Sequence, residues 1–298
     1  MRRIAALLLL LTAAAAFGAE NGKTINTPSG TLYYETAGGG SATPLLMING
    51  GPGFDHQYFH FGDGVWNALA KTRTVVFYDQ RGTGQSQLNA GQTSKLADLL
   101  ADIEILRKHL GYERWDVFGH SWGGLLAMAY TARYPERVHK VVICDSAAPK
   151  WSDTEFLFAQ VFPDINDRYD SFTFLDALGD RTATDAQVRE YYQMLFYSPE
   201  KRDEFLARAS TDSYRPAINA EVSADLARFD LNPELHKFHM PALVITGRFD
   251  MNVSPRNAWK IHKAIPGSEF AVFERSGHIP WFEEPARFLP VIETFLAK

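Results

Sequence analysis

The sequence predicts an α/β protein: a mostly parallel sheet covered by helices on both faces, with a helical segment inserted late in the chain. Three observations carry this. Short, continuous apolar runs alternate with helical patterns, as strands buried on both faces do. Between Pro149 and Pro241 lie about ninety residues with several helical patterns and few strand-like runs. That is far longer than a connecting loop, typically ~4–6 residues. The apolar rhythm resumes after it, so the chain divides into a core over residues 20–148 and 241–298 and a helical cap subdomain over residues 149–240.

Each element has its own signature. Thr31–Thr36 (TLYYET), Pro44–Asn49 (PLLMIN) and Thr74–Tyr78 (TVVFY) are strand-like runs stopped by Gly38, Gly50 and Asp79. Leu96–Leu110 places Leu96, Leu99, Leu100, Ile103, Leu106 and Leu110 on one helical face, and Gly111 closes it. Trp115–Gly119 reads as a strand, Ser121–Tyr134 as a helix stopped before Pro135, and Val138–Asp145 as a strand. Within the insertion, Thr184–Phe196 and Pro199–Ala209 are helical. Ala242–Gly247 (strand), Ser254–Ala264 (helix), Glu269–Phe273 (strand) and Glu284–Leu296 (helix) complete the pattern.

Composition narrows the function. The 298 residues are 46% hydrophobic, enough for a packed core, and a net charge of −5 argues against a nucleic-acid partner. The lone Cys144 excludes an intramolecular disulfide and Cys-ligated metal clusters. Many of the aromatic residues fall in the insertion, among them Trp151, Phe156, Phe158, Tyr169, Tyr191 and Tyr214. At the N-terminus, Arg2-Arg3 precedes the apolar run Ile4–Phe17. That run is shorter than the ~20 residues of a membrane-spanning helix. Ala16 and Gly18 suit a cleavage site, with a rival cut after Ala16. Residues 1–19 therefore read as a signal peptide, and the mature chain is expected to be exported, periplasmic or secreted, without stable membrane insertion.

The chemistry sits in loops after strands. Gly119-His120-Ser121-Trp122-Gly123 is a G-x-S-x-G turn between a predicted strand and a predicted helix. The glycines make room for a sharp turn that lifts Ser121 clear of the sheet, at the positive end of the following helix. A serine needs a base and the base an acid. The order Ser, acid, His selects Asp250, after the strand ALVITG, and His278, after EFAVF; Asp145 is the rival acid. The strand C-terminal ends gather all of them at one edge. Trp122 and Gly51 (in Asn49-Gly50-Gly51-Pro52-Gly53) are the expected oxyanion donors, since Pro52 has no N–H. Asp79 to Ser86 (DQRGTGQS) reads as a structural turn braced by Asp79 and Arg81, and it lacks the Gly-Lys-Ser/Thr of a phosphate loop. His56 and His60 are four apart, but the sequence supplies no third ligand beside them, so no metal and no cofactor is expected.

NGGPG, DQRGTGQS, GHSWGG, GRFD and SGHIPWFEEP, in this order and spacing, resemble an α/β-hydrolase, and more narrowly the proline iminopeptidase family of serine peptidases. The resemblance spans the chain after the leader. It implies a Ser121–His278–Asp250 triad, an oxyanion hole at Gly51 and Trp122, a helical cap, and release of N-terminal proline or other residues from small peptides. Two features depart from the family pattern. Its first motif usually begins with His where Asn49 stands, and the cap lacks the Trp-Glu pair that holds a substrate amine. Glu155, Glu190, Glu204, Glu221 and Asp225 are the acids that could replace that pair. The partner is thus a small molecule or short peptide. A carboxylesterase or lactonase for small apolar esters is the alternative, and a non-catalytic binding protein on the same fold is a third reading.

The leader has a direct check. Mass spectrometry of the mature protein should find an N-terminus near Ala19 or Glu20. A product that still begins near Met1 contradicts export by this route.

Overall fold

A computed structural model describes residues 22–177 and 181–298; the leader over residues 1–19 lies outside them. The strands are β1 (Lys23–Thr27), β2 (Gly30–Ala37), β3 (Ala42–Ile48), β4 (Arg73–Tyr78), β5 (Gln87–Leu88), β6 (Trp115–His120), β7 (Val138–Cys144), β8 (Ala242–Gly247) and β9 (Glu269–Phe273). They form one sheet in the order β1-β2-β4-β3-β6-β7-β8-β9, with the short β5 beside β2. From β4 to β9 every pairing is parallel, whereas β1, β2 and β5 pair antiparallel at one edge. That antiparallel edge is where the sequence expectation was incomplete. Lys23–Thr27 is five residues with a single buried side chain, so it carries little hydrophobic signal.

The core helices are α1 (Asp63–Ala70), α2 (Leu96–His109), α3 (Trp122–Arg133), α10 (Pro255–Ala264) and α12 (Pro285–Ala297). Strand alternation divides the core into two layers. Leu46, Ile48, Val76, Val117, Val141 and Val244 face α2, α3 and α10. Their neighbours Leu45, Met47, Val75, Phe118, Val142 and Leu243 face α1 and α12. Every residue of β6 and of β8 is buried, which explains the apolar run of β8; in β6 the buried Asp116 pairs with Arg73 and His120 with Tyr58.

Between β7 and β8 lie α4 (Phe158–Val161), α5 (Pro163–Ala177), α6 (Arg181–Gln193), α7 (Pro199–Arg208), α8 (Pro216–Asp225) and α9 (Asn232–Leu235). Helix α6 stops three residues short of the predicted Phe196. Met194 and Leu195 turn back onto the carbonyls of Tyr191 and Tyr192, and Glu283 then captures the amides of Tyr197 and Ser198. Glu283, in the short helix α11 (Pro280–Glu283), accepts from the N–H groups of Tyr197 (2.8 Å), Ser198 (2.9 Å) and Gly277 (2.6 Å). One carboxylate therefore ties the insertion to the loop before His278.

Burial pushes the Glu283 carboxyl up to about 7, against three backbone donors that favour its ionised form. A folded-state value above that of an unfolded glutamate (~4.3) means the folded chain holds the proton more tightly. The stability this proton contributes is complete below the unfolded value and is lost as pH rises through about 7. Thermal melts from pH ~5 to ~8 should show the wild type losing ground to Glu283→Gln as pH rises, by at most ~1.4 kcal/mol per pH unit. A gap independent of pH contradicts this.

Candidate active site

The site is built on the turn from β6 to α3. Ser121 sits at φ 58°, ψ −124°, in the positive-φ region that side chains rarely adopt. Its N–H donates to Cys144 O (3.0 Å) and its carbonyl accepts from Gly124 and Ala147, so the strained residue is held from three sides. A Cβ on Gly123 would collide with the carbonyls of Ile48 and Asn49, and one on Gly119 with the carbonyl of Gly123. The two glycines let β3, β6 and α3 approach closely enough to force the turn.

His278 and Asp250 reach the same edge from the loops after β9 and β8. His278 Nδ1 donates to Asp250 Oδ2 (2.7 Å). Asp250 Oδ1 accepts from the backbone N–H of Asn252 (2.9 Å) and Val253 (3.0 Å), which fixes the carboxylate plane. His278 N–H donates to Leu195 O (2.7 Å), so the turn after α6 holds the base loop in place. All three side chains are buried. With Nδ1 donating, His278 Nε2 is the free lone pair, and it accepts from Asn252 Nδ2 (2.9 Å), which also donates to Tyr191 Oη (2.8 Å). Asn252 and Tyr191 had no motif to reveal them; only the folded loop brings them to the imidazole.

The rival acid, Asp145, is close by. One carboxylate oxygen from each of Asp145 and Asp250 and one nitrogen of His278 lie within 4.8 Å of one another. Asp145 accepts from Gly247 N–H (2.7 Å), and Cys144 Sγ donates to it (3.3 Å). Burial, and then the charge of Asp250, push the Asp145 carboxyl well above its ordinary range. Asp250 is left as the carboxylate that faces the imidazole.

His120, Tyr58 and Gly50 form a second chain beneath the site. Burial, then the neighbouring His278, hold His120 well below its ordinary value, so it is neutral. Its Nε2 then donates to His278 O (2.8 Å), its Nδ1 accepts from Tyr58 Oη (2.8 Å), and that oxygen accepts from Gly50 N–H (2.6 Å). Gly50 is thereby engaged, while Gly51, Ser121 and Trp122 line the adjoining cavity together. Trp122 Nε1 donates to Gln80 Oε1 (2.9 Å), and Gln80 Nε2 donates to Asn49 O (2.9 Å). The DQRGTGQS turn thus braces both loops: Arg81 forks onto Asp102 (2.6 and 2.7 Å), and Asp79 holds His56.

The cavity has a volume of about 290 Å³. Its walls include Phe54, Trp151, Phe158, Tyr169, Tyr191 and Tyr214, with Gln187, Asn219 and Asn252 as polar groups. Among the described residues, no charged side chain lines it. A smaller cavity beside it is shared by Gly51, Ser121 and His278. The acids expected to hold a substrate amine lie elsewhere. Glu155 pairs with Arg256 (3.0 Å) and Lys260 (2.9 Å), Glu190 with Arg168 (3.2 Å), and Glu204 with Lys201 (2.7 Å). Asp225 accepts from Leu96 N–H (2.9 Å), and Glu221, on α8, lines neither cavity. Glu155, Glu190 and Glu204 face arginines or lysines instead, and Asp225 faces the backbone at the start of α2.

A family model described as the alpha/beta hydrolase fold matches residues 43–285. The chain belongs to the α/β-hydrolase family and is a hydrolase. Within that family it resembles proline iminopeptidases: one from Clostridium botulinum is 30% identical over 288 residues, covering 89% of this chain and 94% of its own. Among solved structures, an alpha/beta fold family hydrolase from Bacillus anthracis superposes with a TM-score of 0.74 at 22% identity, covering 92% of this chain and 98% of its own. An enol-lactonase from Burkholderia xenovorans superposes with a TM-score of 0.72 at 24% identity, covering 93% and 100%.

The two acids should separate in mutants. Asp145→Asn replaces a carboxyl that burial holds well above its ordinary range by an amide of the same shape, and kcat should stay within about tenfold of wild type. Asp250→Asn removes the anion facing the imidazole, and kcat should drop by about 10³–10⁴. Steady-state kinetics on any turned-over ester reads both; equal losses contradict the assignment.

Proposed function

We propose that the protein is a serine hydrolase that forms an acyl-enzyme at Ser121 and prefers small, uncharged, apolar acyl groups, as in esters or lactones. The observation that carries the substrate class is the aromatic cavity beside Ser121, with no charged residue among its described walls. Its few neutral polar groups suit orientation of an uncharged ligand. Binding a substrate ammonium there would strip its water without a carboxylate in return, a cost of several kcal/mol.

In this reading, the Ser121 hydroxyl takes the place of the Asn252 amide at His278 Nε2 and passes its proton there while Oγ attacks the carbonyl. The oxyanion faces the N–H groups of Gly51 and Trp122. Asp250 stabilises the imidazolium, which then protonates the leaving oxygen. The bond to the leaving group breaks, and water repeats the sequence to release the acid. A second reading, release of N-terminal proline, is favoured by relatives named proline iminopeptidase that align over most of the chain. The amine would then rest on aromatic faces, worth ~0.5–2 kcal/mol, and neutral amides, with no carboxylate.

A matched substrate pair decides between them. Methyl cyclopentanecarboxylate is the carbon isostere of proline methyl ester and lacks only the amine. The uncharged ester should show kcat/KM at least about tenfold higher; preference for the proline ester assigns the iminopeptidase activity. A fluorophosphonate should label Ser121, and Ser121→Ala should abolish turnover with the circular dichroism spectrum unchanged. An adduct elsewhere sinks the mechanism itself, whichever ester is preferred.

A further inference from the structure

Behind the DQRGTGQS turn lies a second cluster that the hydrolase chemistry does not use. Glu35 on β2 faces His56 and His60, which flank and enter the short 3-10 helix Gln57–Gly62. His56 Nε2 lies 3.4 Å from Glu35 Oε1, and His60 Nε2 lies 3.0 Å from Glu35 Oε2. His56 is fully buried, and its Nε2 makes no hydrogen bond among the described residues. A buried ring nitrogen aimed at a carboxylate without the alignment of a hydrogen bond calls for a physical explanation.

We propose that Glu35, His56 and His60 form a structural site for a late first-row divalent cation, with Zn²⁺ the best fit. Two imidazoles and one carboxylate are a donor set suited to zinc. Metal bonds of ~2.0–2.2 Å in tetrahedral geometry place ligand atoms about 3.4 Å apart; here one ligand atom from each of the three residues lies within 4.8 Å of the others, so small side-chain shifts would complete the set. The surrounding contacts also match. His56 Nδ1 donates to Asp79 Oδ1 (2.6 Å), which leaves Nε2 as the lone pair and orients the ring. Tyr33 Oη donates to Glu35 Oε1 (2.7 Å) and steadies the carboxylate.

One divalent cation with neutral rings would balance the charges of Glu35 and Asp79, as imidazolium rings would in the absence of metal. Side-chain exposures of 18% for His60 and 12% for Glu35 leave an entry from solvent and room for water as a fourth ligand. The effect would be structural. His56 directly follows the loop that carries Gly51, and a cation there would pin this loop to β2 and, through Asp79, to the end of β4. The rival arrangement is an imidazolium held between the carboxylates, for which metal has no affinity.

The test uses the full chain, free of affinity tags and stripped with a chelator. Calorimetric titration with Zn²⁺ should give one equivalent bound, and the thermal midpoint should rise with added Zn²⁺. Co²⁺ should develop the visible bands of four-coordinate cobalt. His60 lies at the edge of the cluster, so His60→Ala should fold, and Glu35→Gln keeps the size of the side chain; each should weaken binding at least about tenfold, and Tyr33→Phe about tenfold. Ser121→Ala should bind as wild type does. No Zn²⁺ uptake at micromolar metal by folded wild type overturns the proposal, as does undiminished binding by folded His60→Ala or Glu35→Gln.

Discussion

The rest of the molecule depends on one constraint, the strained backbone at Ser121. A side chain at φ 58° persists only where its surroundings over-determine it. Here β3 and α3 press together at Gly123 so closely that any Cβ would strike backbone carbonyls. The parallel register of β3, β6 and β7 supplies that pressure, because Ile48 pairs with Gly119 and His120 with Cys144, whose carbonyl binds Ser121 N–H. The buried strands therefore aim the hydroxyl and hold it aimed. A loop alone could not sustain that conformation.

The imidazole is held by a different principle. Its loop is not strained but clamped between core and insertion. Leu195 O takes the N–H of His278, while Glu283 gathers one amide from the base loop and two from the start of the following turn. The helical insertion thus does more than roof the cavity: its α6–α7 turn is part of the scaffold that places the imidazole of His278. Tyr191 and Asn252 extend the coupling, since one amide nitrogen touches both the cavity wall and the imidazole. Occupancy of the cavity and the state of Nε2 are then physically linked.

How much of this was readable in the sequence follows from the range of each interaction. The parallel strands were legible because burial on both faces leaves runs such as LLMI, VVIC and ALVI unbroken by polar residues. Ser121, Asp250 and His278 were legible because a sharp turn between strand and helix demands small neighbours at fixed spacing, and strand ends order the rest. The edge strands β1 and β5 were not, since their polar, exposed residues carry no period. Asn252 lies two residues from Asp250, yet its role depends on a turn whose geometry no spacing rule encodes. Glu35 was invisible as a partner of His56 and His60 because β2 meets that helix only through the fold. The glutamates of the insertion show the opposite failure. Charge could be counted in the sequence, but which way each helix turned its acids could not.

That last point decides how a family likeness translates into chemistry. The turn at Ser121 and its imidazole would cleave an ester or an amide by the same acyl-enzyme steps, so they are silent on the substrate. Discrimination falls to whatever meets the acyl group. An N-terminal residue brings an ammonium that must leave water. A paired carboxylate repays that cost, whereas aromatic faces return ~0.5–2 kcal/mol. In this chain Glu155, Glu190 and Glu204 are each neutralised by a lysine or arginine, and the cavity wall is left to tyrosines, phenylalanines and amides. Those pairs lie at the surface with their cations exposed, so the lack of a carboxylate in the wall follows from where the insertion places its acids. On the function proposed above, a cavity of this composition favours acyl groups that lose little on leaving water, and it would do so without altering the serine or the imidazole.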